Sequence, residues 1–175
     1  MALSFEGGLG SASGYPNDSK LINDKASYGR TGPLPGGGFT LSAGGALAEY
    51  LNVGFFFATS AFSKKDSWAV TSGGGGMRID AFPFTWTHNK WLRSWAFYGL
   101  AGLGAVNVKY EKPGSNVADL DGTQSFLGIG SFLEVRLGGF GIGPEIRFDG
   151  VVTRSASRIA MAPGLRLSIY PSQLW

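Results

Sequence analysis

Residues 125–149 alternate strictly. Leu127, Ile129, Leu133, Val135 and Leu137 share one parity, and Gly128, Gly130, Glu134 and Arg136 share the other. The glycine-rich stretch 138–141 interrupts the pattern, and then Ile142, Pro144, Ile146 and Phe148 alternate with Gly143, Glu145, Arg147 and Asp149. A period of two on both sides of a glycine-rich turn predicts a β-hairpin. One face of that hairpin is greasy. The other combines glycines with charges of both signs.

The same pattern recurs along the chain and predicts strands near 2–13, 38–48, 53–62, 68–82, 95–110 and 158–170, in addition to the two of the hairpin. In the first, Leu3, Phe5 and Leu9 oppose Ser4, Glu6, Gly8 and Gly10. In the second, Phe39, Leu41, Ala43 and Leu47 oppose Thr40, Ser42, Gly44 and Ala46; in the third, Val53, Phe55 and Phe57 oppose Gly54, Ala58 and Ser60, with Phe56 and Phe62 as bulky exceptions on the small face. In the fourth, Met77, Ile79 and Ala81 oppose Arg78 and Asp80. In the fifth, Tyr98, Leu100, Val106, Val108 and Tyr110 are assigned to the greasy face because Asn107 and Lys109 share the other parity. In the last, Ile159, Met161, Leu165, Leu167 and Ile169 oppose Ala160, Ala162, Gly164, Arg166 and Ser168, and Pro163 predicts a bulge or weak pairing. Long polar connections (14–36, 63–67, 111–124, 150–157) alternate with a second set (48–52, 82–94, 138–141), as in an up-and-down meander whose long loops share one rim. The length of 82–94 runs against that rule.

Two solvents fit a greasy face opposed to a charged one, and the charges separate them. After loops and turns are set aside, Glu6, Arg78, Asp80, Glu134, Arg136, Glu145, Arg147, Asp149 and Arg166 remain in strands, all on the glycine-rich parity; Lys109 and Arg158 are placed at strand ends near the long-loop rim. A soluble lipocalin-like ligand-binding barrel would put this sparse face in water and line a cavity with the greasy one. A membrane barrel puts the greasy face in lipid, where an Arg or Lys at mid-bilayer costs about 2–4 kcal/mol. It then leaves five carboxylates and four arginines to pair inside. Composition favours the membrane: charged residues are 15% of the chain and 29 residues are glycine, whereas a soluble surface usually carries roughly 25–35% charged residues. Aromatics add two expected girdles. Tyr50, Phe82, Phe84, Trp86, Trp91, Trp95, Phe140, Tyr170 and Trp175 fall near the short-turn rim, and Tyr15, Tyr28, Trp68 and Tyr110 near the long-loop rim.

The hairpin GIGSFLEVRL…GIGPEIRF and the terminal Trp175 resemble the small eight-stranded outer-membrane barrels of OmpA and OmpX type, over essentially the whole chain. The resemblance implies an all-β, eight-stranded antiparallel up-and-down transmembrane β-barrel, with 1–175 as a single domain in a Gram-negative outer membrane. It also implies that a C-terminal aromatic belongs to the signal read by the barrel-assembly machinery. Leu167 and Ile169 stand where aromatics are common in that family, and Pro171, Ser172, Gln173 and Leu174 follow the last strand, so the signal is expected to be imperfect or displaced. No signal peptide and no peptidoglycan-binding domain are read in 1–175.

Candidate chemistry is sparse. The one histidine, His88, sits in a turn, so a His-based catalytic triad would have to use that position. With no cysteine and one histidine, no catalytic site, metal site or cofactor is expected. Asn116, Asp119 and Asp121 lack EF-hand spacing, and neither 36–38 nor 73–76 has the Lys-Ser/Thr of a phosphate loop. The net charge of +3 is scattered, which excludes a nucleic-acid patch. The expected partners are the lipid bilayer and lipopolysaccharide, and a protein met through the external loops, chiefly 14–36, or the lipid-facing surface. Oligomeric state is not legible, because lipid-facing and subunit-facing surfaces are both apolar. The expected function is a non-enzymatic membrane anchor or scaffold with a salt-bridged, plugged interior; a narrow channel for ions or small solutes is the alternative.

Overall fold

A computed structural model describes residues 1–14, 29–64, 68–110, 123–152 and 156–170. The long strands are β1 (Ala2–Gly14), β2 (Leu34–Ala48), β3 (Leu51–Ser63), β4 (Trp68–Ala81), β5 (Trp95–Tyr110), β6 (Thr123–Leu133, continued by Val135–Leu137), β7 (Phe140–Val152) and β8 (Ala156–Ile169). Each pairs antiparallel with its sequence neighbour, and β8 also pairs with β1. The sheet is therefore a closed, eight-stranded, all-antiparallel barrel. Closure matters physically: it leaves no edge of unpaired N–H and C=O groups.

The barrel is inside-out relative to a soluble protein. Phe5, Phe39, Phe55, Phe57, Met77, Ile79, Ile129, Phe148, Ile159 and Leu165 are exposed on the outer wall, while Glu6, Arg78, Glu134, Glu145, Arg147 and Arg166 are buried inside it. The greasy lining that a soluble ligand-binding barrel needs is thus on the outside. Register keeps the greasy residues in rows, with Phe5 opposite both Phe39 and Leu165, Leu41 opposite Phe57, and Phe55 opposite Met77.

The fifth predicted strand is corrected. Tyr98, Leu100, Val106 and Val108 are buried inside, and Phe97 and Leu103 face outward. Asn107 and Lys109 misled the parity because they lie among the last four residues of β5, at the long-loop rim, beyond the mid-wall where polarity discriminates. Deeper in β5 the side chain of Tyr98 decides: the Arg78 guanidinium lies 3.8 Å over its ring, which requires both residues on the inner face. The second strand begins at Leu34 rather than at 38, with Leu34 itself buried. A two-residue strand, Gly29–Arg30, pairs with the end of β1, so the 14–36 connection is more ordered at its ends than its composition predicts.

Proline has the expected effect. The β1–β8 ladder lapses between Glu6↔Gly164 and Leu9↔Met161, around Pro163, and keeps the same register on both sides. This is weak pairing without a bulge. The long 82–94 connection folds back on itself: Asn89 caps a short helix α1 (Lys90–Arg93), its side chain accepting from the amides of Trp91 at 3.0 Å and Leu92 at 3.5 Å.

One glycine shows why the inner face needs small residues. Gly130 lies opposite Tyr98, and a Cβ there would run into the phenol ring and the Ile146 carbonyl. An aromatic ring laid over a cross-strand glycine covers the bare backbone. Gly130→Val should therefore displace Tyr98 from beneath Arg78 and cost about 1–3 kcal/mol from overpacking. The expected readout is a smaller heat-modifiable fraction on unboiled gels after refolding; an unchanged fraction would sink the assignment.

Candidate functional site: the filled barrel interior

The interior is filled in two tiers. Below the long-loop rim, Leu34, Phe62, Val70, Val106, Val108, Phe126 and Val151 form a buried apolar tier. Phe56 and Phe126 meet at 5.2 Å between ring centroids beneath it. These residues are far from the short turns because they occupy the long-loop ends of their strands. Of this tier the sequence pattern singled out Phe62 as an exception on the small face; it left Phe126 unassigned and turned Val106 and Val108 outward.

The second tier is ionic. Arg147 stands at its centre on β7: its guanidinium reaches Glu6 of β1 at 2.6 Å and Asp149 at 2.8 Å, and it donates to the Thr40 hydroxyl. Asp149 also accepts from Arg158 of β8, whose other nitrogen donates to Ser60 at 2.5 Å. Arg158 was expected at the rim, yet it is almost wholly buried and its ring partner is Phe62, 5.5 Å away. Its parity, shared with Ala160 and Arg166, carried that signal. Toward the short turns Arg78 bonds Asp80 at 2.6 Å and lies 3.7 Å from Glu145. Arg166 sits 3.8 Å from Glu134 and 4.0 Å from Glu145. Ser4 donates to Glu145, and Ser168 and Tyr170 donate to Glu134.

Arg136 is the exception among the predicted interior charges. Its side chain is 51% exposed, 3.5 Å from Glu134 and over the Tyr170 ring at 4.6 Å. The parity is right but the depth is wrong, since β6 reaches the short-turn rim two residues past Glu134 and the guanidinium meets solvent there. Tyr170 departs from the girdle in the opposite sense. It turns inward to Glu134, and burial together with that carboxylate pushes its phenol up to about 12. Phe82 is also buried, packed edge-on against Phe132 at 6.0 Å.

Tyr50, Trp86, Trp91 and Trp95 are exposed at the short-turn rim. Phe84 bridges Trp86 and Trp95 at 6.4 and 6.0 Å, and the Trp95 indole donates to Ser131 at 2.5 Å. Trp68 and Tyr110 pair through their backbones at the other rim. Trp175, Tyr15, Tyr28, most of the 14–36 loop and the Asn116–Asp119–Asp121 group lie outside the described residues. His88 is exposed in its turn, and among the described residues no hydrogen bond ties it to a serine or carboxylate. Among the described residues no group of three or more His, Cys, Asp or Glu is placed to hold a metal ion.

No protein-family model and no curated protein matches the chain. Solved structures do. The attachment invasion locus protein Ail of Yersinia pestis superposes with a TM-score of 0.53 at 15% identity, covering 95% of this chain and 97% of that one. Neisserial surface protein A superposes with a TM-score of 0.51 at 13% identity, covering 96% of each. The fold is therefore that of the small eight-stranded outer-membrane barrels.

The two arginines at opposite depths should respond differently to truncation. Arg147→Ala leaves Glu6 and Asp149 buried without their central cation and should cost about 3–5 kcal/mol. Arg136→Ala removes a half-exposed partner and should cost less than about 1 kcal/mol. Urea unfolding from lipid vesicles, followed by tryptophan fluorescence, measures both; equal losses would contradict the depth assignment.

Proposed function

We propose that this chain is an integral barrel of a Gram-negative outer membrane that serves as a non-enzymatic anchor, holding its long loops at the cell surface for interaction with other molecules. The single observation that carries the reading is the pairing of an apolar outer wall with a filled interior. Phe55 is 70% exposed and Ile129 67%, whereas Arg147 is 1% exposed and Val151 0%. A wall of that kind is stable in hydrocarbon and a liability in water.

A filled interior supports an anchor over a channel. An eight-stranded barrel is just wide enough for side chains to fill it. Here the apolar tier under the long-loop rim offers a crossing ion neither water nor a counter-charge, and the ionic tier beneath it is cross-linked from β1 to β8. The loops leave that rim on a rigid scaffold, the arrangement that surface-binding loops usually have. The lipid bilayer and lipopolysaccharide are the surrounding partners that the outer wall fits.

Conductance in planar bilayers tests the reading. The intact barrel should show no steady single-channel current. The double variant Phe62→Ala, Phe126→Ala, which hollows the apolar tier, should show brief openings or a measurable leak. Steady conductance of the intact protein would replace the anchor with a narrow pore.

A further inference from the structure

The wall has one backbone defect at mid-height, where β1 meets β8. Met1 and Ile169 exchange both backbone bonds, at 2.8 and 2.7 Å. In an antiparallel ladder such two-bond pairs recur at every second residue. The register therefore places Leu3, Phe5, Gly7 and Leu9 of β1 at two-bond positions against β8. The residue that this register sets opposite Gly7 is Pro163, which has no N–H to give. The Gly7 carbonyl thus points at β8 and finds no donor there. It lies between Phe5 and Leu9, both exposed on the apolar outer wall, where hydrocarbon offers no substitute. Among the described residues the other breaks within a ladder, at Ala46–Ala48 of β2 and at Glu134 of β6, lie toward the short-turn rim.

The flank of the defect is bare. Across the β1–β2 ladder Glu6, Gly7 and Gly8 face Gly38, Gly37 and Gly36. Cross-strand side-chain pairs, which stiffen the rest of the outer wall, are missing at that point. The defect is also pinned at both ends. On the short-turn side two residues of β7 reach past β8 to β1: Arg147 meets Glu6 at 2.6 Å, and Glu145 accepts from Ser4. On the long-loop side the β1–β8 ladder resumes at Leu9↔Met161, and the Ser13 and Ser157 hydroxyls meet at 3.1 Å.

We infer that the β1–β8 seam is the joint at which this barrel yields, parting locally and reversibly around Gly7 while the rest of the ladder stays shut. Parting there breaks one backbone bond fewer than parting the same length of a complete ladder. The freed carbonyl also gains the donor it lacks, from water drawn in beside the ionic tier. That tier lies directly behind the seam, since Arg147 faces Ala162 and Asp149 faces Ala160 across the β7–β8 ladder. The Glu6–Arg147 pair and the Ser4–Glu145 bond act as latches. They hold β1 to β7 while β8 moves, so the opening stays short and closes in the same register.

The test is residue-resolved amide hydrogen exchange by NMR, on the full chain refolded in maltoside micelles and corrected for intrinsic rates. The β4–β5 ladder is the internal control: Gly73 to Gly76 face Ala105 to Gly102 without a break, so it is equally rich in glycine but lacks the defect. The Gly7 and Leu9 amides should exchange at least about tenfold faster than those of Gly73 to Gly76. Pro163→Val supplies the missing donor and should slow Gly7 and Leu9 about tenfold, the worth of one backbone bond, without moving the control. Ser4→Ala removes one latch and should speed exchange at Gly7 about threefold. It keeps the test decisive if Pro163→Val does not refold. Equal protection at the seam and in the control, or seam rates unmoved by the substitutions, overturns the joint. Conductance and loop binding do not enter these rates, so this proposal and the anchor reading fail separately.

Discussion

Closure of the antiparallel ladder is the constraint on which the rest depends. Once β8 pairs with both β7 and β1, every strand residue must point either into the barrel or away from it. There is no third environment in which to hide a mismatch. An interior of this width cannot stay empty and cannot be filled by large residues at every position. The glycines and alanines of the inner parity are the counterpart of the arginines and phenylalanines: Gly130 makes room for Tyr98, and Gly141 for the Glu134 side chain.

That constraint explains why the interior is ionic at all. Arg147 reaches from β7 to Glu6 on β1, across the seam where Pro163 weakens the ladder. Cross-barrel ion pairs join strands that backbone hydrogen bonds hold less well at that point. Buried ion pairs are expensive to desolvate, and apolar residues of the same volume often stabilise as well or better. What the pairs add is specificity. Each carboxylate has partners on defined strands, so a register slip of one residue would turn these charges toward the outer wall.

Much of this was legible in the sequence because parity is a hard physical signal. The inward positions of Glu6, Arg78, Asp80, Glu145, Arg147, Asp149 and Arg166 follow from alternation alone. Depth was not legible. Arg136 and Arg158 are both on the inner parity, yet one is at the rim and the other is deep, and only three-dimensional stagger separates them. The β5 assignment failed for the related reason that polar residues near a strand end, such as Asn107, say where the wall stops rather than which way it faces. Which hydroxyl reaches which carboxylate was beyond any pattern: Ser4 takes Glu145, and Ser168 and Tyr170 take Glu134.

The two ends of the interior are chemically unlike, and this asymmetry follows from how the chain is threaded. Strand ends at the long-loop rim carry Leu34, Phe62, Val70, Val108 and Val151 inward, and an apolar tier there needs no partner from the loops above it. The short-turn end instead carries Glu134, Arg166 and Arg78 inward, and charges at a mouth require partners, which here are each other and Glu145. Sequence variation in the long loops can therefore leave the sealed tier intact, while substitutions around the short turns act directly on the balance of charge at the open end of the ionic tier. In this fold the sealed apolar tier and the open ionic end lie at opposite ends of one ladder, so each can change without the other.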